Sequence, residues 1–221
     1  MKLDLKEYDV SVILTIFNSK IFFSRALNSI LNQTFVDYEI IIVDDGSTDG
    51  IEAEIFPLLK SNGNFKYIRH SNRKHPLSLN TGICSSSGKY ITFLDSDDEY
   101  LPGHLKQRNS FFSDNPETDL IHSSALLVGA EEDFYVPDAN DNSKNIHLND
   151  CIIGGTLFGK RKVFEELEGF RNIYSHDFDF YNRAEQSGKF VISRFDSLTY
   201  KYYRNNSESV ISKMKREQYD K

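Results

Sequence analysis

The sequence predicts an α/β fold, with a Rossmann-like half on a mainly parallel sheet and a smaller, mixed second half. Three observations predict it. Four short, apolar, β-branched runs occupy the first half, amphipathic helical stripes separate them, and acidic clusters follow the second and fourth runs. Apolar strands alternating with helices form a parallel sheet covered on both faces, and right-handed crossovers make it doubly wound. Ligands of such sheets bind beyond the carboxyl ends of the strands, where both acidic clusters fall.

Val10 to Ile16 is short, β-branched and apolar, a buried strand. Phe22, Phe23, Ala26, Leu27, Ile30 and Leu31 recur at helical spacing, on a helix ending near Asn32 and Gln33. Glu39 to Val43 is the second strand and runs into Asp44-Asp45-Gly46-Ser47-Thr48-Asp49, where a short polar side chain caps a helix. Ile51, Ile55, Leu58 and Leu59 stripe that helix, and Ser61-Asn62-Gly63 stops it. Phe65 to Arg69 is a third strand, Leu77 to Cys84 a short helix, and Tyr90 to Leu94 a fourth strand that runs into Asp95-Ser96-Asp97-Asp98. In the second half, Pro102 starts a helix reaching Asn115-Pro116, and Asp119 to Ser123 reads as a strand. Glu131 to Asn149 is polar and reads as a long loop or mobile insertion. Cys151 to Phe158 is strand-like, Lys160 to Leu167 a short helix, and Asp177 to Ser187 a helix capped by Gly188. Phe190 to Arg194 and Thr199 to Arg204 are strands, and 213–221 is a charged tail expected to fray.

The 221 residues suit one domain, and the formal charge of −7 argues against a nucleic-acid partner. A phosphate-bearing small molecule remains compatible if a metal ion bridges it to an acidic site. No apolar run is long enough to cross a membrane, and residues 1–7 carry no apolar stretch of a secretory signal. Cys84 and Cys151 are too few for a disulfide framework, so a cytoplasmic location is expected. At this length a second catalytic module is not expected.

The Asp95-x-Asp97 pair has two readings. It suits Mg²⁺ or Mn²⁺, which few carboxylates plus substrate phosphates hold, or it is a solvated acidic turn capping a helix. The pattern alone is weak: with 19 aspartates about 1.6 such pairs arise by chance, and a second occurs at Asp177 and Asp179. Position lifts the first, because it follows a parallel strand. The Asp44-Asp45 turn likewise either accepts hydrogen bonds from a nucleobase or ribose, or is an ordinary β-to-α turn. No G-x-G-x-x-G, G-x-S-x-G or H-E-x-x-H occurs, and Gly154 to Arg161 misses the P-loop Ser or Thr.

Together the motifs resemble one family. Val10 to Asn18 resembles the "VSVIIPTYN" opening of family 2 glycosyltransferases, and Arg25 to Phe35 resembles their first helix. Glu39 to Asp49 is similar to "EIIVVDDGSTD", and Leu79 to Ile83 with Gly88 to Asp98 to "RNxGI…GxYIxFLDSDD". His176 to Arg183 resembles "EDxDLxxR", and Tyr203-Arg204 with Ser209 and Ser212 the "YRxHxxSxS" tail. The resemblance runs over about 10–212 and implies a single GT-A domain, with a nucleotide-sugar-binding half at about 8–100 and an acceptor-binding half at about 101–212.

The resemblance implies inverting transfer from a nucleotide sugar, a UDP-sugar because the Asp45 position usually reads uracil, with Mn²⁺ or Mg²⁺ as cofactor. The acceptor is a saccharide or lipid-linked saccharide of cell-surface polysaccharide or lipopolysaccharide synthesis, compatible with peripheral contact at the inner membrane face. Asp45 then contacts the base, with Thr15 and Phe17 shaping its pocket and Asn18, Asp44, Asn80 and Ser96 on the donor motifs. Asp95 stands for a ribose- or metal-side carboxylate, Asp97 for the main metal ligand and Asp177 for the catalytic base. Asp179 and Arg183, at i and i+4, read as a supporting ion pair, and Arg204 as tail support.

Several positions depart from the pattern. His176 replaces the usual Glu and reads as tuning or acceptor contact. Leu79 replaces a common Arg, leaving Lys89, Arg73 or Lys74 to compensate at the diphosphate. Asn206 falls near the tail His, and the Gln-x-x-Arg-Trp pattern of processive members is absent, so one sugar per encounter is expected. His70 and His75 have no assigned role, and His104, His122 and His147 read as core or surface residues. A sugar nucleotidyltransferase would want a glycine-rich basic loop that 15–21 lack, and a nucleotide-sugar-binding domain without turnover is the remaining alternative.

Overall fold

The computed structural model describes residues 7–35, 37–61, 63–139, 141 and 143–204. Asn206, Ser209, Ser212 and the 213–221 tail lie outside them. The first half alternates as expected: β1 (Val10–Ile16), α1 (Lys20–Leu31), β2 (Tyr38–Asp44), α2 (Glu52–Ser61), β3 (Phe65–Arg69), α3 (His75–Ser85) and β4 (Tyr90–Asp95). Next come β5 (Glu99–Tyr100), α4 (His104–Asp114), β6 (Leu120–His122), β7 (Leu126–Val128), β8 (Tyr135–Pro137) and β9 (Asn145–His147). β10 (Phe158–Lys160), α5 (Arg161–Glu166), α6 (His176–Ser187), β11 (Ile192–Arg194) and β12 (Tyr200–Tyr203) complete the described chain.

The main sheet has the order β11-β6-β10-β4-β1-β2-β3, parallel except for β10. Alternation along each strand divides the core between its two faces. Val12, Leu14, Ile40 and Ile42 pack with Phe23 and Ile30 of α1. Ile13, Ile41, Ile91 and Phe93 pack with Leu79 of α3, Phe164 of α5 and Phe180 of α6. Leu79 is thus a core residue, 2% exposed. The amino edge of the sheet is sealed. There the buried Glu39 accepts from Ser11 Oγ (2.7 Å) and Ser87 Oγ (2.7 Å) and pairs with Lys66 (2.7 Å), while Arg161 donates to the carbonyls of Ser86 and Gly88.

Two expectations of the second half are corrected. The polar stretch Glu131 to Asn149 is not one long loop: β8 and β9 pair antiparallel within it, anchored by the buried Val136 and Leu148. Cys151 to Phe158 is not a strand up to Phe158. Residues Gly154–Thr156 form a 3-10 turn, packed so closely on Tyr200 that a side chain at Gly155 would lie 2.2 Å from its hydroxyl.

A second sheet, β5-β12-β7, stands beside the main one. Behind it His104 is fully buried and stacks on Tyr100, ring centroids 3.8 Å apart. Its Nδ1–H donates to Thr199 O (3.1 Å), and its Nε2 is buried without a partner. Burial, then the neighbouring Arg108 charge, pushes its pKa well below the ordinary histidine value. The unfolded chain therefore binds the proton first. The stabilisation is complete above about pH 6.5 and is lost as pH falls below that. Differential scanning fluorimetry should show the wild-type Tm dropping a few degrees more than that of His104→Phe between neutral pH and about pH 5, since ~1 kcal/mol moves Tm by ~2–4 °C at this size. Equal drops in the two proteins would contradict this account.

Candidate active site

The parallel register decides what meets at the carboxyl edge. Thr15 lies opposite both Val43 and Asp95, and Ile16 opposite Asp44. Three strand ends therefore finish at one level, about 4.8 Å apart, and their following turns face a common space.

On the β2 side the two adjacent aspartates do different work. Asp44 is fully buried, with Oδ1 accepting from Ser47 N–H (2.7 Å) and Oδ2 from the Tyr67 hydroxyl (2.8 Å). It builds the turn and does not face a ligand, which corrects its placing among donor contacts. Asp45 accepts from the backbone N–H groups of Arg73 (2.6 Å) and Lys74 (3.1 Å), and its Oδ1 lies 3.3 Å from His70 Nδ1. Lys74 holds a φ of 81°, a conformation costly for a side-chain-bearing residue, so Asp45 braces a strained loop. Asn18 accepts from Thr48 N–H (2.8 Å) and donates its own N–H to Ser47 Oγ (3.1 Å), stitching the β1 and β2 turns together. Phe17 stands beside it, 48% exposed.

After β4 the acidic turn divides too. Asp98 is fully buried and faces inward, with Oδ2 accepting from the Tyr200 hydroxyl (2.6 Å) and Oδ1 from Tyr203 N–H (2.9 Å). Burial, then the charges of Asp97 and Asp95, raises its pKa well above the usual carboxylate value. It ties the turn to β12. Asp95, Ser96 and Asp97 are half-buried on the open side. Arg25 of α1 donates to the Asp97 carbonyl and stacks on the Tyr203 ring, 3.8 Å from its centroid.

His75, in the first turn of α3, was not assigned from the sequence and is central. Its Nε2 lies 2.9 Å from Asp95 Oδ1 and 3.1 Å from Thr15 Oγ1. Burial works to lower its pKa, but the charges of Asp95, Asp177 and Asp97 raise it overall. Burial works to raise that of Asp95, and His75, His176 and the Thr15 hydroxyl bring it below the ordinary value. The only sequence signal for His75 is its place on a helix opening beyond the end of a parallel strand.

Asp177 approaches from α6. Its Oδ2 accepts from Gly154 N–H (3.1 Å) and its Oδ1 from Phe178 N–H (2.9 Å). Burial raises its pKa, and these two backbone donors offset only part of that. His176 packs edge-on against His75 (5.2 Å) and Phe170 (5.6 Å). Burial, then the His75 charge, lowers its pKa to about 3, so it is a neutral ring near pH 7.

The remaining candidates lie elsewhere. Asn80 spends both ends of its amide on Phe170, donating to the carbonyl and accepting from the N–H at 2.8 Å each. It pins that loop. Lys89 precedes β4, so the strand's length places it about 20 Å from Asp95. It lies over the Tyr90 ring at the sealed edge and does not compensate for Leu79. Arg73 and Lys74 are exposed beside Asp45. Asp179 pairs with Arg183 (2.8 Å), which also donates to the carbonyls of Leu167 and Gly169. Arg204 is buried and donates to the Asp133 carbonyl (3.1 Å).

Among the described residues, no three His, Cys, Asp or Glu side chains converge into a metal cage. The donor chemistry of Asp95 and Asp97 still fits Mg²⁺ or Mn²⁺, hard cations that take oxygen ligands and fill their shell from substrate phosphates and water.

The profile of glycosyl transferase family 2 matches residues 11–199. An uncharacterized glycosyltransferase of Rickettsia bellii is 36% identical over 168 residues, 73% of this chain and 24% of its own. A glucosyltransferase of Campylobacter jejuni, the GalNAc(5)-diNAcBac-PP-undecaprenol β-1,3-glucosyltransferase, is 40% identical over 98 residues, 43% of this chain and 32% of its own. The chain thus spans about a quarter to a third of the length of these relatives. Staphylococcus aureus TarS in complex with UDP-GlcNAc superposes with a TM-score of 0.72 at 21% identity, over 90% of this chain and 60% of that one. The mannosyltransferase PcManGT of Pyrobaculum calidifontis, in complex with GDP-Man and Mn²⁺, gives 0.70 at 16%, over 92% and 59%. At such identities the likeness shows the GT-A fold. The profile spans the strand ends and turns that carry Asp45, Asp95, Asp97 and Asp177, and the chain belongs to glycosyl transferase family 2.

Proposed function

We propose that this glycosyltransferase moves one sugar from a UDP-sugar to a saccharide or lipid-linked saccharide acceptor, with inversion and with a divalent cation. The observation that carries the reading is the convergence on His75 of Asp95 from the donor half and of the α6 N-terminus, with Asp177, from the acceptor half. The lipid-linked acceptor in the name of the Campylobacter relative and the UDP-GlcNAc bound by TarS support the substrate classes. A lipid-linked acceptor would bring the enzyme to a membrane face; among the described residues no helix is long and apolar enough to cross one.

The acceptor hydroxyl is a weak nucleophile until its proton is removed, and in this reading Asp177 takes it. The acceptor oxygen then bonds to the anomeric carbon as the carbon–oxygen bond to the diphosphate breaks on the opposite face, through an oxocarbenium-like state. A divalent cation held by Asp95 and Asp97 would neutralise charge building on the leaving diphosphate. His176 remains neutral and shapes the wall between the two halves.

A thermal-shift screen of UDP, GDP and dTDP, with and without Mn²⁺, tests the donor side. UDP with Mn²⁺ should raise Tm by about 5 °C or more at saturation, and UDP alone by clearly less. A larger shift with GDP or dTDP would overturn the uridine assignment. NDP release that requires an acceptor separates turnover from binding alone.

A further inference from the structure

We propose that His75 is a positioning residue for the donor site, orienting Asp95 so that one of its two carboxylate oxygens faces the ligand. The inference rests on the nucleotide-sugar reading above and assigns a role that reading leaves open. A carboxylate only accepts hydrogen bonds, so the His75 nitrogen at 2.9 Å from Asp95 Oδ1 carries the hydrogen. The Thr15 hydroxyl lies 3.1 Å from the same nitrogen and also hydrogen-bonds Asp95. Thr15, His75 and Asp95, from β1, α3 and β4, form one closed hydrogen-bonded set. The His75 bond holds Oδ1 and sets the rotation of the carboxylate. Asp95 is then kept in one orientation, and Arg25 holds the backbone carbonyl of the neighbouring Asp97.

His75 is itself held. Its ring meets His176 edge-on, and His176 rests on Phe170, whose backbone Asn80 clamps from two sides. The donor-side carboxylate is therefore braced through His75 against the helix that carries Asp177. Groups that orient a ligand carboxylate typically change metal affinity or activity by 10–100-fold when removed.

The test begins with the free protein. Long-range ¹H–¹⁵N spectra of histidine-labelled enzyme should show Nε2 of His75 protonated, and Asp95→Asn should shift that resonance. An unprotonated Nε2 overturns the proposal. Binding follows, with the nucleotide of the UDP, GDP and dTDP panel that stabilises the wild type most, titrated calorimetrically with Mn²⁺. His75→Ala should weaken it about tenfold or more, and His75→Gln, whose amide N–H can reach the same oxygen, should recover most of the loss. Equal binding by wild type and His75→Ala, or no recovery in a His75→Gln that melts like the wild type, overturns the role of His75 alone. If no nucleotide binds the wild type, the nucleotide-sugar reading falls and this proposal with it.

Discussion

Asp177→Asn is expected to lower kcat by about 100- to 10,000-fold, the range for loss of a general base, with nucleotide affinity essentially unchanged. Asn keeps the volume and one acceptor oxygen, so Gly154 N–H, 3.1 Å away in the wild type, retains a partner and the 3-10 turn stays in place. Besides the capacity to take a proton, one backbone acceptor is lost, that for Phe178 N–H, so a melting curve is read beside the kinetics. A loss confined to kcat identifies an interaction made in the transition state, whereas a rise in donor KM at constant kcat would mean that Asp177 merely binds. Steady-state NDP release with acceptor, beside calorimetric nucleotide binding, distinguishes the two. The pH profile adds a second check. Burial raises the pKa of Asp177, and the base works only when deprotonated. The rate should therefore rise with pH through a value above the ordinary ~3.9 of aspartate, and Asp177→Asn should lose that limb.

Chelation of the divalent ion and Asp97→Ala should each reduce kcat/KM by about 1,000-fold or more, since cation stabilisation of a developing charge is worth several kcal/mol. The two losses should not add. If Asp97 acts through the ion, chelation costs the variant little further, as expected for members of one unit. Additive losses would place Asp97 outside the metal's reach and return the 95–98 turn to a solvated loop. Asp98→Asn should behave differently. Its carboxyl is buried against Tyr200 and Tyr203, so its replacement should lower Tm before it alters Mn²⁺ dependence. A melting curve beside the metal titration separates the neighbours.

The outcome of sequence reasoning varied with the range of the interaction. Strands β1 to β4 and the helices between them were legible because buried parallel strands need continuous apolar runs and helices need a stripe, both local patterns. The hairpin inside Glu131 to Asn149 was not, because its pairing rests on two buried side chains, Val136 and Leu148, in a polar stretch. Asp44 reads as a donor contact in sequence and Asp98 stands beside Asp97, yet both carboxylates are fully buried and bonded within the frame. Their partners, Tyr67, Tyr200 and Tyr203, are 23 to 105 positions away. Lys89 was misplaced because charge and motif proximity carry no record of which end of a strand a residue occupies. The bracing of Phe170 by Asn80 is likewise invisible in sequence, since the two are 90 positions apart.

The sequence by itself determined the family, the order of the first seven elements and the turns at which a nucleotide-sugar site would be built. Those are properties of contiguous residues, set by periodicity and by motifs that β-to-α turns hold together. The tertiary structure alone decided which of the adjacent aspartates are buried in the frame, that His75 pairs with Asp95, and that Lys89 stands at the opposite edge. Side-chain direction at a strand end depends on parallel register and on hydrogen bonds that close only when distant segments pack. A carboxylate that finds a buried tyrosine, as Asp44 and Asp98 do, becomes part of the frame.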